Sequence, residues 1–293
     1  MTRNHTKNHR NDLRIPLLLF PFLFLAGSIF AQDTLPEKIY LPKNVSHDLS
    51  LLQFELYDGY LSPLYYNGYG LQYRQDVRRV WSEKRPNLSM QNCYTLNVAV
   101  TLNPARTAAM TYLSFEYKWG MYYHFRRDKK FSILLGGTVT PEIGGRMLPG
   151  NTNNVGNLDL GASVNLAAQG RWKIPTKKRV LQFNFSIAAP IMGLVFAPEM
   201  GASYYEIFYL EGKQNVSHFT SFHNKYAFYR YYSLDIPFKN SIFRIGVQRN
   251  LLKYYVGENF YKRKYGGIML GWQKNIVTFA GRKSNPPKNT VIY

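Results

Sequence analysis

Residues 218–226, HFTSFHNKY, bring together His218, Ser221, His223 and Asn224, the side-chain types of a Ser–His–Asn relay. Such a relay splits acyl transfer into two steps, with the hydroxyl as nucleophile and the imidazole as its base. The chemistry needs nucleophile and base within hydrogen-bond reach. In an extended strand Ser221 and His223 share a face but sit too far apart for easy direct contact, so Ser221, His223 and Asn224 read as polar rim residues first and catalytic candidates second. Glu199 and Glu206 in FAPEMGASYYEIFYLEG (196–212) form another candidate set, because paired carboxylates are a hydrolase device. Glu199 stands in turn chemistry beside Pro198, whereas Glu206 falls in the alternating SYYEIF, so the two are assigned different structural jobs.

The sequence contains no Gly-x-Ser-x-Gly elbow, His-Glu-x-x-His pair, phosphate-cradling glycine loop or EF-type calcium loop. No cofactor and no metal is implied. Cys93 is the only cysteine, which leaves no intrachain disulfide and no Cys-rich metal site.

The elements that must hold these residues are strands. In YTLNVAVTL (94–102), Tyr94, Leu96, Val98, Val100 and Leu102 alternate with Thr95, Asn97, Ala99 and Thr101, and LDLGASVNLAAQ (158–169), LQFNFSIA (181–188) and FRIGVQ (243–248) repeat the pattern. A period of two is a strand signal. The polar face is rich in Gly, Ala, Ser, Asn and Gln rather than long charged chains, as a narrow lumen requires. Aromatics, 16% of the chain, cluster in YYNGYG, YKWGMYYHF, YAFYRYY and NFYKRKY, toward the expected strand ends, where rings meet wet head groups. The expected fold is all-β: a transmembrane antiparallel up-and-down barrel of about twelve strands, with ten to fourteen compatible. The glycine pairs Gly136–Gly137, Gly144–Gly145 and Gly266–Gly267 read as curvature points. A secreted carbohydrate-binding β-sandwich is the alternative architecture.

The expected strands are 50–60, 65–76, 93–103, 108–123, 131–147, 158–170, 179–190, 202–211, 225–236, 241–252 and 265–279, with a twelfth from 37–45 or from a split segment. The domain reading is a signal peptide at 1–31, an N-terminal segment at 32–49, the barrel at 50–279 and a tail at 280–293. Arg3, Lys7, Arg10 and Arg14 precede IPLLLFPFLFLAGSIFA, the order of a cleaved secretory signal. That address implies an outer membrane.

Parity assigns Glu55, Arg74, Glu116, Lys118, Glu206 and Arg244 to the lumen, where ionised groups need partners. Placing the turn at 238–240 in the periplasm and alternating backward puts 103–106 and 197–201 on the same side as that turn. Arg126, Arg127, Lys129, Lys130, Lys177, Lys178, Lys262, Arg263 and Lys264 then form an outer rim facing a phosphate-rich leaflet. The formal charge of +20 favours anionic partners. For an exported chain these are outer-membrane lipids, including lipopolysaccharide phosphates, and not nucleic acid.

DGYLSPLYYNGYG, TLNPARTAAMTYLSFEYKWGMYYHF, PIMGLVFAPEMGASYYEIF and FTSFHNKYAFYRYYSLDIP resemble the outer-membrane barrel family catalogued as domain of unknown function 3316, over about Tyr57 to Gln273. The resemblance implies a Gram-negative outer-membrane barrel and carries no established activity. The expected function is an envelope structural or interaction barrel, or a narrow pore, with a basic extracellular rim. An outer-membrane lipid-modifying hydrolase or acyltransferase is the alternative.

Overall fold

A computed structural model describes residues 43–276, apart from 83, 129, 153, 178, 209–215 and 239–240. The expected signal peptide (1–31), residues 32–42 of the expected N-terminal segment and the expected tail (280–293) lie outside the described residues, as do Lys129 and Lys178. The strands are β1 (Lys43–Asp58), β2 (Ser62–Ser82), β3 (Arg85–Leu102), β4 (Ala109–Arg127), β5 (Phe131–Met147), β6 (Gly156–Pro175), β7 (Val180–Phe196), β8 (Ser217–Ser221), β9 (Lys225–Pro237), β10 (Ile242–Val256) and β11 (Asn259–Ile276). One short helix, α1 (Tyr204–Phe208), lies between β7 and β8.

Every pairing is antiparallel, and β1 bonds to both β2 and β11, which closes the sheet into a barrel. β8 and β9 share one stave: β9 pairs with β7 over Gln182–Ala188, and β8 pairs with the rest of the same strand over Met192–Phe196. The ring therefore has ten staves rather than the expected twelve or so, an even number as single-chain barrels use. The staves also run longer than a bilayer crossing needs, up to 21 residues in β2. The expected loops at 77–92 and 253–264 are consequently mostly strand. The turn joining β10 to β11 is only Gly257–Glu258, both at positive φ (56° and 61°), the twist-matched hairpin geometry.

Two expected boundaries are corrected. Residues 43–49 belong to β1 rather than to a separate N-terminal segment, because Asn44, Ser46 and Asp48 alternate inward with the rest of the strand. Residues 202–211 do not form a strand. Glu206 Oε2 accepts from the Ser203 amide at 2.7 Å while Ser203 Oγ accepts from the Glu206 amide at 3.2 Å, a reciprocal cap that starts α1.

Removing that strand reverses the ends of everything before it. The connections 128–130 and 176–179 share an end with 238–241 and with the described termini at Lys43 and Ile276. The other end carries 103–108, 148–155 and 197–216. Lys130 and Lys177 thus lie at the terminal end, as do the backbones of Arg126 and Arg127, while Lys262, Arg263 and Lys264 lie toward the loop end. The basic rim is split between the two ends.

The outer wall exposes Leu71, Val98, Val100, Leu113, Ile143, Leu166, Ile245, Val247 and Leu270. Trp81, Phe125, Trp172 and Trp272 ring the terminal end of this band, and Tyr65, Tyr226 and Tyr255 its loop end. A surface apolar around its middle with an aromatic girdle at each border is built for lipid. It excludes the soluble sandwich. The inner members of two glycine pairs are forced by close approach: a Cβ on Gly136 would stand 2.0 Å from the Met121 carbonyl, and one on Gly267 would stand 2.1 Å from that of Leu51.

Val98→Arg and Ile245→Arg, each facing the apolar band, are expected to cost about 2–4 kcal/mol of folding free energy if close to mid-bilayer. Denaturant titration of the barrel in lipid vesicles measures this, and an unchanged midpoint in both variants would refute the assignment of faces.

Candidate functional site

The lumen is the largest concentration of titratable groups in the described chain, and sequence alternation delivers them there. Even-numbered positions of β1, β2, β4 and β10 and odd-numbered positions of β6, β9 and β11 point inward through most of their lengths. An ion removed from water needs a counter-ion and hydrogen bonds to offset desolvation. Both are present in two layers.

In the loop-end layer Arg146 bridges Asp58 and Asp159 at 2.7 Å each and lies 3.7 Å over the Tyr261 ring. Asn157 Nδ2 also donates to Asp58 at 2.8 Å, and the Tyr261 hydroxyl donates to Asp159 at 2.7 Å. Arg263 holds Glu142 through both terminal nitrogens, donates to the Tyr112 hydroxyl and reaches Glu116 at 3.6 Å. Both arginines are about 1% exposed.

In the terminal-end layer Asp76 accepts from Arg74 and Arg78 at 2.9 Å each and from Gln91 at 2.7 Å. Arg244 forks onto Asp235 at 2.6 and 2.8 Å and faces Asp48 at 3.7 Å. Between the layers a chain of amides crosses the bore: Gln248 donates to Gln72 (2.6 Å), Gln72 to Asn97 (2.7 Å) and Asn97 to Ser114 (3.0 Å). Leu52, Phe54, Ala99 and Tyr265 pack around that level. Two cavities in the lumen, lined by residues of both layers, measure about 30 and 50 Å³, room for water and little else.

The loop-end mouth is also covered. The Tyr60 hydroxyl lies 2.7 Å from the Ala202 carbonyl and 3.0 Å from Asn154 Oδ1, and the Tyr204 hydroxyl donates to Asn157 at 2.8 Å while accepting from the Leu158 amide at 2.7 Å. Burial pushes both phenols up to about 12, with the Asp58 charge adding to the effect. They remain neutral donors at physiological pH.

The predicted lumen set divides. Arg74, Glu116, Lys118 and Arg244 face the bore. Glu206 does not: it is exposed on α1 as the helix cap. Glu55 faces outward, where Lys262 and Lys264 pair with it, because Leu52, Phe54 and Leu56 take the inward positions of that strand. Of the predicted rim, Arg263 is in the lumen. Asp58 and Arg146, missed by sequence reasoning, are central to the network, and with them Asp159, which alternation places on the polar face of LDLGASVNLAAQ. Asp58 lies beside Gly59 at the end of its alternating stretch, and Arg146 follows the small residues Gly144–Gly145, which weaken the alternation there.

The serine and histidine are closer than strand geometry predicts. Ser221 Oγ lies 2.6 Å from His223 Nδ1, because 221–224 is a turn between β8 and β9 rather than a strand. Asn224 supports that turn, accepting from the Ser221 amide at 2.9 Å and donating to the Phe219 carbonyl at 2.9 Å. Its amide thus serves the backbone, and the pair is exposed beside Phe219 and Phe222.

Arg263→Ala leaves Glu142 and Glu116 without their buried cation and is expected to cost about 3–5 kcal/mol. The heat-modifiable mobility of the barrel and its denaturant midpoint report the loss, and a midpoint equal to wild type would show that the network is not what holds the bore closed.

A family model described as "Protein of unknown function (DUF3316)" matches residues 16–283. No curated protein matches the sequence. Solved structures with a similar course include the outer membrane protease OmpT from Escherichia coli (8% identity, 81% of this chain and 97% of that chain, TM-score 0.47). Others are the beta domain of the Bordetella autotransporter BrkA (9%, 81% and 100%, TM-score 0.42) and the translocator domain of autotransporter NalP from Neisseria meningitidis (10%, 80% and 88%, TM-score 0.41).

Proposed function

This chain belongs to the family of proteins of unknown function DUF3316, and from that premise we propose that it is an occluded outer-membrane barrel that acts through its surfaces rather than by conducting solutes. One observation carries the reading: paired charges and amides cross the bore from wall to wall, and the two cavities between them hold about 30 and 50 Å³. Lumen side chains that bond to each other from wall to wall leave a hydrated solute no path. In this reading the leader at 1–31 is cleaved on export. The terminal-end connections, none longer than four residues, face the periplasm, and the end that carries the longer loops 148–155 and 197–216 faces outward, in the asymmetry of such barrels.

Reconstituted in planar bilayers, the barrel is expected to give no unitary conductance, and vesicles carrying it should not swell in small sugars. Stable channel steps in wild-type protein would overturn the occluded reading.

The 2.6 Å contact between Ser221 and His223 favours a second reading, a lipid-modifying hydrolase or acyltransferase. Against it, Nδ1 is the ring nitrogen engaged by the serine, and Asn224, the expected orienting group, is committed to the turn. Lipid A and phospholipid profiles are therefore expected to be the same in cells carrying wild type, Ser221→Ala or His223→Ala. A lipid product made by wild type and lost in both variants would establish the enzyme.

A further inference from the structure

The lipid-facing wall is apolar around most of the barrel but not across β1, β11, β10 and β9. There a groove of about 550 Å³ opens over Gly266, lined by Gln53, Glu55, Arg230, Arg249 and Lys264. Arg249 is the middle residue of β10 and its register partner on β9 is Arg230, so two guanidinium groups stand side by side on the outer face. Lys253 and Lys262 form another such partnership on β10 and β11. Like charges directly opposite on neighbouring strands repel. Cations at membrane depth carry a further cost unless something neutralises them.

The wall itself does not neutralise them. Glu55 is the carboxylate among these residues, and it is taken by Lys262 and Lys264, the latter at 3.0 Å. Among the described residues no ion pair reaches Arg230 or Arg249, and Arg230 Nε is buried with no hydrogen-bond partner. The Arg230 guanidinium leans over Phe228, one outward position nearer the loop end. The basic stripe thus climbs from Arg230 and Arg249 through Lys264 to Lys253 and Lys262, while Leu51, Val247 and Ile268 continue the wall below it.

We infer that this groove binds a diphosphorylated glycolipid of the loop-end leaflet, its phosphates on the basic stripe and its acyl chains over the apolar wall below. The charge excess rules against a second copy of this chain, which would set one basic stripe on another. Placement among lipid-facing residues rules against a soluble acidic protein. Arg249 and Lys253 are four residues apart, about 13 Å along an extended strand, a span that suits two phosphates better than one. The inference rests on the proposal that the loop end faces outward.

The test uses the purified full-length barrel in neutral detergent, titrated with diphosphorylated lipid A, its dephosphorylated form and phosphatidylglycerol, with binding read by native mass spectrometry. Diphosphorylated lipid A is expected to bind tightest, and Arg230→Gln/Arg249→Gln to weaken it at least about tenfold by removing two charge-assisted phosphate contacts. Arg79→Gln/Lys274→Gln, the same charge removed at the terminal end, should bind as wild type does. Lys264→Gln provides a milder second variant, expected to weaken binding in the same direction. Equal affinity of wild type and both groove variants, or of phosphorylated and dephosphorylated lipid, or a match by phosphatidylglycerol, would overturn the site. Labelling of Glu199→Cys on intact cells by a membrane-impermeant maleimide tests the orientation separately: absent labelling sinks the orientation, whereas labelled cells whose barrel fails the lipid test sink the groove alone.

Discussion

Closure of the sheet is the constraint on which the rest depends. Once β11 bonds to β1, every second side chain of the ten staves must fit a bore of fixed width. No edge remains to absorb an error in register. Side chains in the bore lose most of their water, so a charge there is tolerable only with its counter-charge and hydrogen bonds supplied by other staves. Arg146 joins β5 to β1 and β6, Arg263 joins β11 to β4 and β5, and Arg244 joins β10 to β9 and β1. The same contacts that compensate burial tie distant staves together. Occlusion follows from compensation.

Alternation was legible wherever the two faces differ in chemistry. Tyr94 to Leu102 is such a stretch, and both its outward and its inward sets stand as read. From Leu52 to Leu56 the difference is inverted, because an apolar layer occupies the bore at the level of Leu52, Phe54 and Leu56 while the outer wall turns polar at Gln53 and Glu55. Parity keyed to hydrophobicity then selects the wrong face for Glu55. At Pro190 the ladder skips a residue between Asn165 and Val164, so the inward set of β7 changes from Asn184 and Ser186 to Gly193 and Val195. A bulge of this kind leaves no mark in composition beyond the proline.

The segment 202–211 shows how a local error propagates. SYYEIF alternates well enough for a strand, but Ser203 and Glu206 also have the spacing of a helix cap, and that local hydrogen bonding decides the outcome. Because 202–211 is not a stave, all staves before it run in the opposite sense to the expected one, and the basic residues at 128–130 and 176–179 fall at the terminal end. The Ser221–His223 contact was missed for a related reason. Two residues on one strand face stay apart, whereas Asn224 folds 221–224 into a turn that brings them together. Turn formation by a side chain is a three-dimensional event, visible in sequence only as an asparagine.

The two faces of the barrel handle charge by opposite rules, and the contrast bears on where function resides. Inside, each arginine named in the two layers has a carboxylate within 4.0 Å, so these charges are compensated by the barrel itself. Outside, across β9 and β10, Arg230 and Arg249 face one another, and among the described residues no carboxylate pairs with either. If stability alone had shaped that wall, an apolar residue at either position would serve better, as Leu234 and Ile245 do lower on the same two strands. Uncompensated charge on a lipid-facing surface is a cost borne by the folded barrel, and binding an anion is the physical route by which that cost is recovered.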